Sequence, residues 1–463
     1  MIGFILNDNT PMSSSASALK LRPYVVVGGG IMGLSTASQM ARHTSRQVVL
    51  FDNHTASKLR SSSGQTRGIQ YAYSGLHAYL LQSSTTMWNA WNEANQVPLI
   101  QTVGHLSLGT PDELKNLQTT YSESKCTIHS IPSEMLSVHY PYIRKDLPKD
   151  THGLYETSAK LIDVPETMRY LTKRALRDGV KIMYEASVTD IDRSLHQITV
   201  NHTHLYEYET LVLCSGPWTN QLLHLASLEL LPLFVSCEQV HYLPIGENVH
   251  IPCKHVPIAA ATLHTSKHGL SDQESFVYAV PEFTKSDGPN ALKVGVHQQG
   301  PFMNTKSFRM PSLPTVDALP LHSYSRRTLV ETFPTPQPID LYMKSLAQTF
   351  VHRYLNTDVV DVPNMRVERC YYTTSIDQTF VVGPHADDHN VYICTGFNGE
   401  GFKFAPIVGK VLTELVLATT SVPEMELAAN AWSPSRWACT KTEPSSSVVT
   451  SIHQMFTGLN EAL

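Results

Sequence analysis

The stretch that decides the fold is YVVVGGGIMGLSTASQMARHTSRQVVLFD, residues 24–52. Its β-branched run at 24–27 predicts a buried strand, and the apolar spacing over 31–43 predicts a helix. A second β-branched run, 47–51, predicts the strand that follows the helix. Strand, helix and strand in this order form a βαβ unit, which predicts an α/β domain built on a parallel sheet.

Three glycines connect the first strand to the helix. Gly28, Gly30 and Gly33 form the pattern GxGxxG, and Asp52 ends the second strand at roughly the expected spacing of about 20 positions. The first glycine allows a tight turn, the second lets the backbone approach a pyrophosphate, and the third lets helix and strand pack closely. Asp52 would accept hydrogen bonds from an adenosine ribose. The unit therefore predicts a dinucleotide site and leaves NAD and FAD both open; the alternative is a glycine-rich turn in an unrelated α/β domain.

A second strand–glycine–helix crossing follows at 210–223, TLVLCSGPWTNQLL. Ser215, Gly216 and Trp218 lie at its turn. Flavoproteins with two crossings of this kind approach FAD a second time at such a turn, so the pattern favours FAD over NAD. The alternative is an ordinary β-to-α turn without a ligand.

Composition and charge exclude several classes of function. The chain has 463 residues, 42% hydrophobic and 16% charged, with a formal net charge of −5. This charge predicts no basic surface for nucleic acid or an acidic membrane, and no apolar run reaches the roughly 18 to 20 residues that cross a bilayer. The seven cysteines include no CxxC pair, which argues against a disulfide framework or a structural zinc site. We therefore expect no nucleic acid, membrane or metal partner.

Neither end of the chain matches a known targeting signal. Residues 1–21 lack the basic and apolar regions of a signal peptide, so they are expected to form a disordered leader. The last four residues, NEAL, match neither a peroxisomal nor an endoplasmic reticulum signal. The expected location is cytoplasmic.

The sequence patterns predict a discontinuous organisation. Runs such as 239–243, 276–280 and 292–296 alternate with turns rich in Pro, Ser and Asp, which is typical of an antiparallel sheet inserted into the nucleotide domain. The predicted fold class is α/β: a Rossmann-like FAD-binding domain with an inserted α+β substrate domain. The predicted segments are 22–90, 150–225 and 360–420 for the FAD-binding domain, 91–149 and 226–359 for the substrate domain, and 421–463 for a C-terminal tail that packs on the FAD-binding domain.

Four stretches of the chain, taken together, resemble one family of flavoproteins. They are VVVGGGIMG at 25–33, SSSGQTRGIQYAY at 61–73, ERCYYTTSIDQTFVVG at 368–383 and GFNGEGFKFAP at 396–406; a weaker match is ALKVGVH at 291–297. In order and spacing they resemble the FAD-dependent amine oxidases that include monomeric sarcosine oxidase, N-methyltryptophan oxidase and L-pipecolate oxidase. The resemblance covers residues 22–418, nearly the whole chain.

The resemblance implies roles for individual residues. Cys370 matches the cysteine that forms a thioether with the flavin 8-methyl carbon, and Arg67 matches an arginine that lies against the flavin. Lys293 matches a lysine associated with oxygen activation, and His297 matches an active-site histidine. Each residue also has an ordinary alternative: a free buried cysteine, a loop arginine and a solvent-facing strand lysine among them.

The remaining implied site residues fall into two sets. The substrate set consists of Gln70, Tyr278, Tyr372, Glu400 and Lys403, in which Lys403 matches the family's carboxylate ligand and Tyr278 has the alternative of a core aromatic. The cofactor set adds to Gly28, Gly30, Gly33, Asp52, Arg67 and Cys370 the residues Ile31, Met32, Ser61, Ser62, Gly64, Thr66, Val188, Ser215, Gly216, Trp218, Phe397, Asn398, Gly399, Gly401, Phe402 and Lys403.

Two positions depart from the family's pattern. Gln70 stands where members with small amino-acid substrates have a second arginine, and Glu400 stands where the usual GFSGHGFK has histidine. Both changes make the predicted pocket more favourable to a cation. The hypothesis is a substrate that carries a second basic group, or a bulkier one that depends less on a carboxylate clamp. The alternative is that Glu400 pairs with a basic residue of the chain.

The resemblance implies oxidation of a secondary amine by FAD, with O2 as acceptor and an imine and hydrogen peroxide as products. The implied partners are a small amine or amino acid and O2, the FAD is expected to be covalently bound, and the protein is expected to be a monomer. Two alternatives stay open: a dehydrogenase that passes electrons to a protein or quinone, and a flavin-binding protein without turnover.

Overall fold

The structure is a computed structural model that describes residues 21–53, 60–246, 256–265, 273–283, 290–298, 300, 302–303, 338–419 and 423–437. The predicted leader, except for its last residue, lies outside these ranges. So do most of the predicted C-terminal tail and parts of the predicted substrate domain.

The described part of the chain contains both strands and helices. The strands are β1 Tyr24–Val27, β2 Val48–Asp52, β3 Thr66–Ile69, β4 Ile100–Thr102, β5 His105–Gly109, β6 Ile128–Ile131, β7 His152–Glu156, β8 Lys160–Asp163, β9 Lys181–Tyr184, β10 Val188–Asp192, β11 Gln197–Val200, β12 His204–Glu207, β13 Thr210–Leu213, β14 Leu233–Pro244, β15 Ile258–Thr265, β16 Gln273–Pro281, β17 Ala291–Val296, β18 Phe302–Met303, β19 Arg366–Ser375, β20 Val381–His385 and β21 Asp388–Thr395. The α-helices are Ile31–His43, Gly75–Glu93, Pro111–Glu123, Ser133–His139, Val164–Arg177, Thr219–Leu225, Pro338–Tyr354, Ala405–Leu417 and Pro423–Trp432. Short 3₁₀ turns are Gly216–Trp218, Gly401–Phe404 and Pro434–Trp437.

The predicted βαβ unit forms the centre of a six-stranded sheet with the order β20-β21-β13-β1-β2-β9. All neighbours in it are parallel except the edge strand β20, which is antiparallel to β21. Successive residues of a strand point to opposite faces, and both faces of this sheet are covered. Val26 faces helices such as Ile31–His43 and Ala405–Leu417, whereas its neighbours Val25 and Val27 face the small sheet of β10, β11 and β12. The α/β fold class and the Rossmann-like arrangement are confirmed.

A nine-stranded sheet forms the second large layer, with the order β18-β14-β17-β16-β15-β5-β7-β6 and β19 paired to β14. Its pairs are antiparallel except β5 with β15. Strand β19 runs beside β14 over ten residue pairs, from Leu233↔Ser375 to Tyr242↔Arg366. The predicted segment 360–420 is therefore shared between two sheets, because β20 and β21 belong to the six-stranded one. The predicted domain limits remain predictions.

A three-stranded sheet, β3-β8-β4, lies close to both large layers. Its strand β3, which belongs to the segment 60–70, contacts β16 of the nine-stranded sheet and the turn Gly401–Phe404. Residues from distant parts of the chain thus meet where the nucleotide sheet, the nine-stranded sheet and this small sheet come together. No helix in the described part of the chain is long and apolar enough to cross a membrane.

Candidate active site

The glycine turn between β1 and the helix Ile31–His43 is packed too closely for side chains. Gly28 has a φ of 111°, and a Cβ there would lie 2.4 Å from the carbonyl oxygen of Cys214. A Cβ on Gly33 would lie 1.8 Å from the carbonyl oxygen of Gly28. Since real contacts never come this close, both positions require glycine, and the helix is held against the turn as the GxGxxG pattern predicts.

A cavity of about 540 Å³ opens beside this turn. Asp52 lies in its wall and is 3% exposed, and the Arg60 guanidinium donates a hydrogen bond to the Asp52 carboxylate. At the start of the helix, the Ile31 N–H donates to the Ser62 hydroxyl at 3.0 Å. The predicted cofactor residues in this wall are Gly28, Gly30, Asp52, Ser61, Ser62, Val188, Ser215, Gly216 and Trp218.

A second cavity, of about 430 Å³, adjoins the first. Gly30, Ser61, Ser62, Ser63, Cys214 and Gly216 line both of them. The predicted residues in the wall of the second cavity are Gly30, Ile31, Met32, Ser61, Ser62, Gly64, Arg67, Gln70, Gly216, Tyr278, Lys293, His297, Cys370, Tyr372, Phe397, Gly399, Glu400, Gly401, Phe402 and Lys403. The fold therefore brings nearly all the predicted site residues to two connected spaces.

Two cations lie side by side in the second cavity. The Arg67 guanidinium donates to the carbonyl oxygens of Ser63 at 2.6 Å and Ser61 at 3.0 Å, and it lies 5.8 Å from the centre of the Phe402 ring. Lys293 is 4% exposed and donates to the carbonyl oxygen of Thr66. Burial, together with the charge of Arg67, lowers the pKa of Lys293 to about 7. Lys293 therefore faces the cavity and not solvent.

Cys370 lies on β19, opposite Glu238 of β14, and its thiol is free. Burial raises the pKa of the Cys370 thiol, and the charges of Arg67 and Lys293 oppose that rise. Tyr278 and Tyr372 lie against each other nearby, and burial raises the pKa of Tyr278 to about 12. The His297 ring lies 5.8 Å from the Tyr372 ring, and burial lowers the pKa of His297.

The turn Gly401–Phe404 places Lys403 at the other side of the same cavity. Lys403 is 4% exposed, its ammonium donates to the Gln70 amide oxygen at 3.4 Å, and it lies 4.9 Å from the centre of the Tyr73 ring. Its carbonyl oxygen accepts hydrogen bonds from Ser84 at 2.7 Å and Trp88 at 2.9 Å, so the helix Gly75–Glu93 fixes its backbone. Burial lowers the pKa of Lys403, and the charge of Glu400 opposes this shift.

Glu400 is half-buried and lines the cavity with its carboxylate close to Tyr73 and His297. Its charge contributes to raising the pKa of Tyr73. Within the described ranges, no basic side chain lies within ion-pairing distance of Glu400. The predicted alternative of an internal ion pair therefore finds no partner there.

Comparison with known proteins identifies the family. The family model for FAD dependent oxidoreductases (DAO) matches residues 23–415. The chain belongs to the FAD dependent oxidoreductase family. The peroxisomal sarcosine oxidase of Homo sapiens is 28% identical over 415 residues, which are 87% of this chain and 94% of that protein. The monomeric sarcosine oxidase of Bacillus sp. (strain B-0618) is 22% identical over 402 residues, 85% of this chain and 91% of that one.

A solved structure of this FAD dependent oxidoreductase fold superposes on nearly the whole chain. It is NikD, described as an unusual amino acid oxidase essential for nikkomycin biosynthesis, in its open form. Its TM-score is 0.70 at 19% sequence identity, with 88% of this chain and 98% of that chain covered. At this identity the likeness shows the fold.

The residues present fit the cofactor of an FAD dependent oxidoreductase. The turn at Gly28 and Gly33 leaves no room for a Cβ, so bare backbone faces the cavity at the start of a helix, where a phosphate is favoured. Asp52 supplies buried carboxylate oxygens beside the same turn. Arg67 and Lys293 supply positive charge in the adjoining cavity, which suits a ring that becomes negative on reduction.

Three predicted cofactor residues lie behind the cavity walls. Gly33 packs against Gly28, Thr66 accepts the hydrogen bond of Lys293, and the Asn398 side-chain oxygen accepts from the Ser375 N–H at 3.3 Å. These residues shape the walls from behind. Their contact with the cofactor remains a prediction.

Several wall residues were missed at the level of sequence. His105 and Tyr242 face the second cavity from strands of the nine-stranded sheet, Tyr73 faces it from the segment before helix Gly75–Glu93, and Arg60 faces the first cavity. Tyr73 was within a recognised stretch, so an aromatic three positions after Gln70 was a usable signal. His105 carried no local signal, since it lies outside every motif. The described residues contain no group of histidine, cysteine and acidic side chains that could hold a metal ion.

Proposed function

We propose that this chain oxidises the secondary amine of an N-substituted or cyclic amino acid, with O2 as electron acceptor, to an imine and hydrogen peroxide. The observation that carries the proposal is the meeting of Cys370, Lys293 and Lys403 in one cavity that adjoins the glycine turn. The names of the sarcosine oxidase relatives support the reaction class.

The proposed cofactor-binding site consists of the walls of the two cavities, with Asp52 at one end and Cys370 at the other. FAD bound there would accept a hydride equivalent from the substrate and deliver electrons to O2. We propose that the Cys370 sulfur is the point of covalent attachment, and that Arg67 and protonated Lys293 provide positive charge beside the flavin ring.

Lys403 is proposed to bind the substrate carboxylate. Its ammonium is buried and has lost hydrogen bonds to water. A substrate carboxylate would replace those hydrogen bonds and bind the ammonium strongly. Gln70 turns its amide oxygen to Lys403, which leaves the amide NH₂ as a second donor. A carboxylate between them would hold the amino acid by one end and orient its amine and α-carbon, and such orientation lowers the barrier without a strong base.

The same cations favour the reactive form of the amine. Arg67, Lys293 and Lys403 line the cavity, and like charges nearby disfavour a substrate ammonium. Burial lowers the pKa of His297, so its ring is uncharged at neutral pH and does not repel a substrate cation. Its ring can accept a hydrogen bond from the substrate N–H, so the site selects and positions the neutral amine.

Anaerobic mixing tests the proposed function. The purified yellow protein is mixed without O2 with sarcosine, N-methyltryptophan, pipecolate, proline, a saccharopine-like amino acid and a fructosyl amino acid, and the flavin absorbance is followed. At least one secondary amine is expected to bleach the flavin, and admission of air should restore the absorbance with formation of hydrogen peroxide. A panel in which no secondary amine bleaches the flavin would contradict the proposal and support a flavin-binding protein without turnover.

Glu400 is expected to select substrates with a second cation. Replacement by glutamine keeps the shape of the side chain and removes its charge, so kcat/KM for an amine with an added basic group should fall about tenfold relative to a zwitterionic amine. The matched control is Glu368→Gln, which removes a carboxylate from the same cavity near Cys370. Equal preference in wild type and Glu400→Gln would show that Glu400 does not recognise the substrate.

The cytoplasmic location and the monomeric state are retained as proposals. The name of the Homo sapiens relative places that protein in the peroxisome, so location in cells is best tested by imaging the full chain with its own C-terminus free. Light scattering of the purified holoprotein tests the monomer.

A further inference from the structure

His105 is a cavity residue that the proposed reaction has not yet used. It begins β5, is 5% exposed and lines the second cavity. In the ladder it lies beside Ile258 of β15, and Ile258 packs on Gly68, two positions before Gln70. His105 therefore faces the part of the cavity that holds Gln70 and Lys403.

The ring of His105 is held from behind by two hydroxyl groups. Its Nδ1 lies 3.3 Å from the hydroxyl of Ser107 and 3.3 Å from the hydroxyl of Tyr121. Both of these side chains are buried, and the two hydroxyl groups are also in hydrogen-bonding contact with each other. In the tautomer whose Nδ1 accepts one of these hydrogen bonds, the proton of the neutral ring lies on Nε2.

The electrostatic surroundings keep this ring neutral. Burial, together with the charge of Lys403, lowers the pKa of His105 to about 4. The neutral ring therefore carries one N–H donor over the whole neutral range. The influence of Lys403 on His105 also shows that the two groups lie within electrostatic reach of each other.

We propose that His105 donates its Nε2–H to the substrate carboxylate, beside Lys403, and that Ser107 and Tyr121 are positioning residues that hold the ring in this tautomer. The inference rests on the proposed function, in which the substrate is an amino acid. It adds a neutral hydrogen-bond donor to the carboxylate site, in which Gln70, the neighbour of Lys403, carries no charge.

Equilibrium binding to the oxidised holoprotein tests this role without turnover. The probes are thiophene-2-carboxylate and thiophene-2-carboxamide, which match in shape and lack an oxidisable amine, and the readout is the change in flavin absorbance. His105→Leu is expected to raise the Kd of the carboxylate about tenfold and to change that of the carboxamide less than about twofold. His105→Gln, which keeps an N–H donor, should stay within about threefold of wild type. His264→Leu, an exposed histidine on β15, is the control.

Tyr121→Phe provides an independent test of the same proposal. It should lower the ratio of carboxylate to carboxamide affinity by about threefold while FAD content and melting temperature stay near wild type. If His105→Leu does not retain FAD, the Tyr121→Phe ratio decides alone. Equal weakening of both probes, or an unchanged ratio in Tyr121→Phe, overturns the role of His105. Because these probes are not oxidised, a failed amine panel with a positive carboxylate result would refute the oxidase reaction and leave this site standing.

Discussion

Replacement of Lys293 by methionine is expected to slow the reaction of the reduced protein with O2 by about two to three orders of magnitude. The ammonium is buried in the cavity beside Arg67, and a preorganised charge in a site that excludes water contributes this much where negative charge develops. Methionine has nearly the same length and is uncharged, so the packing between β14 and β16 should persist. The measurement is stopped-flow reoxidation after anaerobic reduction by a substrate amine.

The rate of anaerobic reduction separates this role from a general loss of structure. That rate should change less than about threefold in Lys293→Met, because Lys403 and Gln70, which are proposed to bind the substrate, remain. Lys410→Met removes a partly exposed lysine that pairs with Glu414 and should leave both rates unchanged. The pKa of Lys293 is lowered to about 7, so in wild type reoxidation should slow as pH rises through the deprotonation of this lysine. In Lys293→Met this dependence should disappear. If O2 reoxidised Lys293→Met at the wild-type rate, the result would instead favour the dehydrogenase alternative.

Replacement of Cys370 by serine is expected to convert the bound flavin from covalent to dissociable. Cys370 lines the second cavity, where burial raises the pKa of its thiol and the charges of Arg67 and Lys293 act against that rise, toward the reactive thiolate. After acid denaturation, wild-type protein should retain yellow colour, and Cys370→Ser should release nearly all its FAD into the supernatant. Mass spectrometry of the peptide that contains residue 370 measures the adduct directly.

Cys237→Ser is the matched control for the attachment. Cys237 is a buried cysteine on the neighbouring strand, opposite Tyr371, and it is not part of the cavity wall. Its replacement should leave the flavin on the denatured protein. A wild-type protein that releases its FAD on denaturation, with an unmodified peptide at Cys370, would contradict covalent attachment while leaving the oxidase reaction open.

Local sequence was enough for the nucleotide part of this protein. The βαβ unit of 24–52 is contiguous, and each of its requirements is a property of neighbouring residues: a β-branched strand, glycines where a Cβ would collide and an acid at the next strand end. The start of helix Val164–Arg177 is equally local, because the Asp163 carboxylate accepts a hydrogen bond from the N–H of Glu166, three positions along the chain, at 2.8 Å.

The second cavity required the tertiary structure. The pattern ALKVGVH left open whether Lys293 faces solvent, because all six residues of β17 are buried and the strand shows no alternation. Likewise, β19 follows the nucleotide segments in the chain but pairs with β14, a partner that its own sequence does not name.

The sequence by itself determined the family, the glycine turn and the identity of the groups that carry charge near it. Only the tertiary structure decided that Lys293, Glu400 and Lys403 line the second cavity. It also showed that His105 lines the same cavity, with Ser107 and Tyr121 in contact with its ring. The physical reason is range. Strand and helix patterns record which face of an element is buried, whereas the neighbours across that face come from packing between segments hundreds of positions apart.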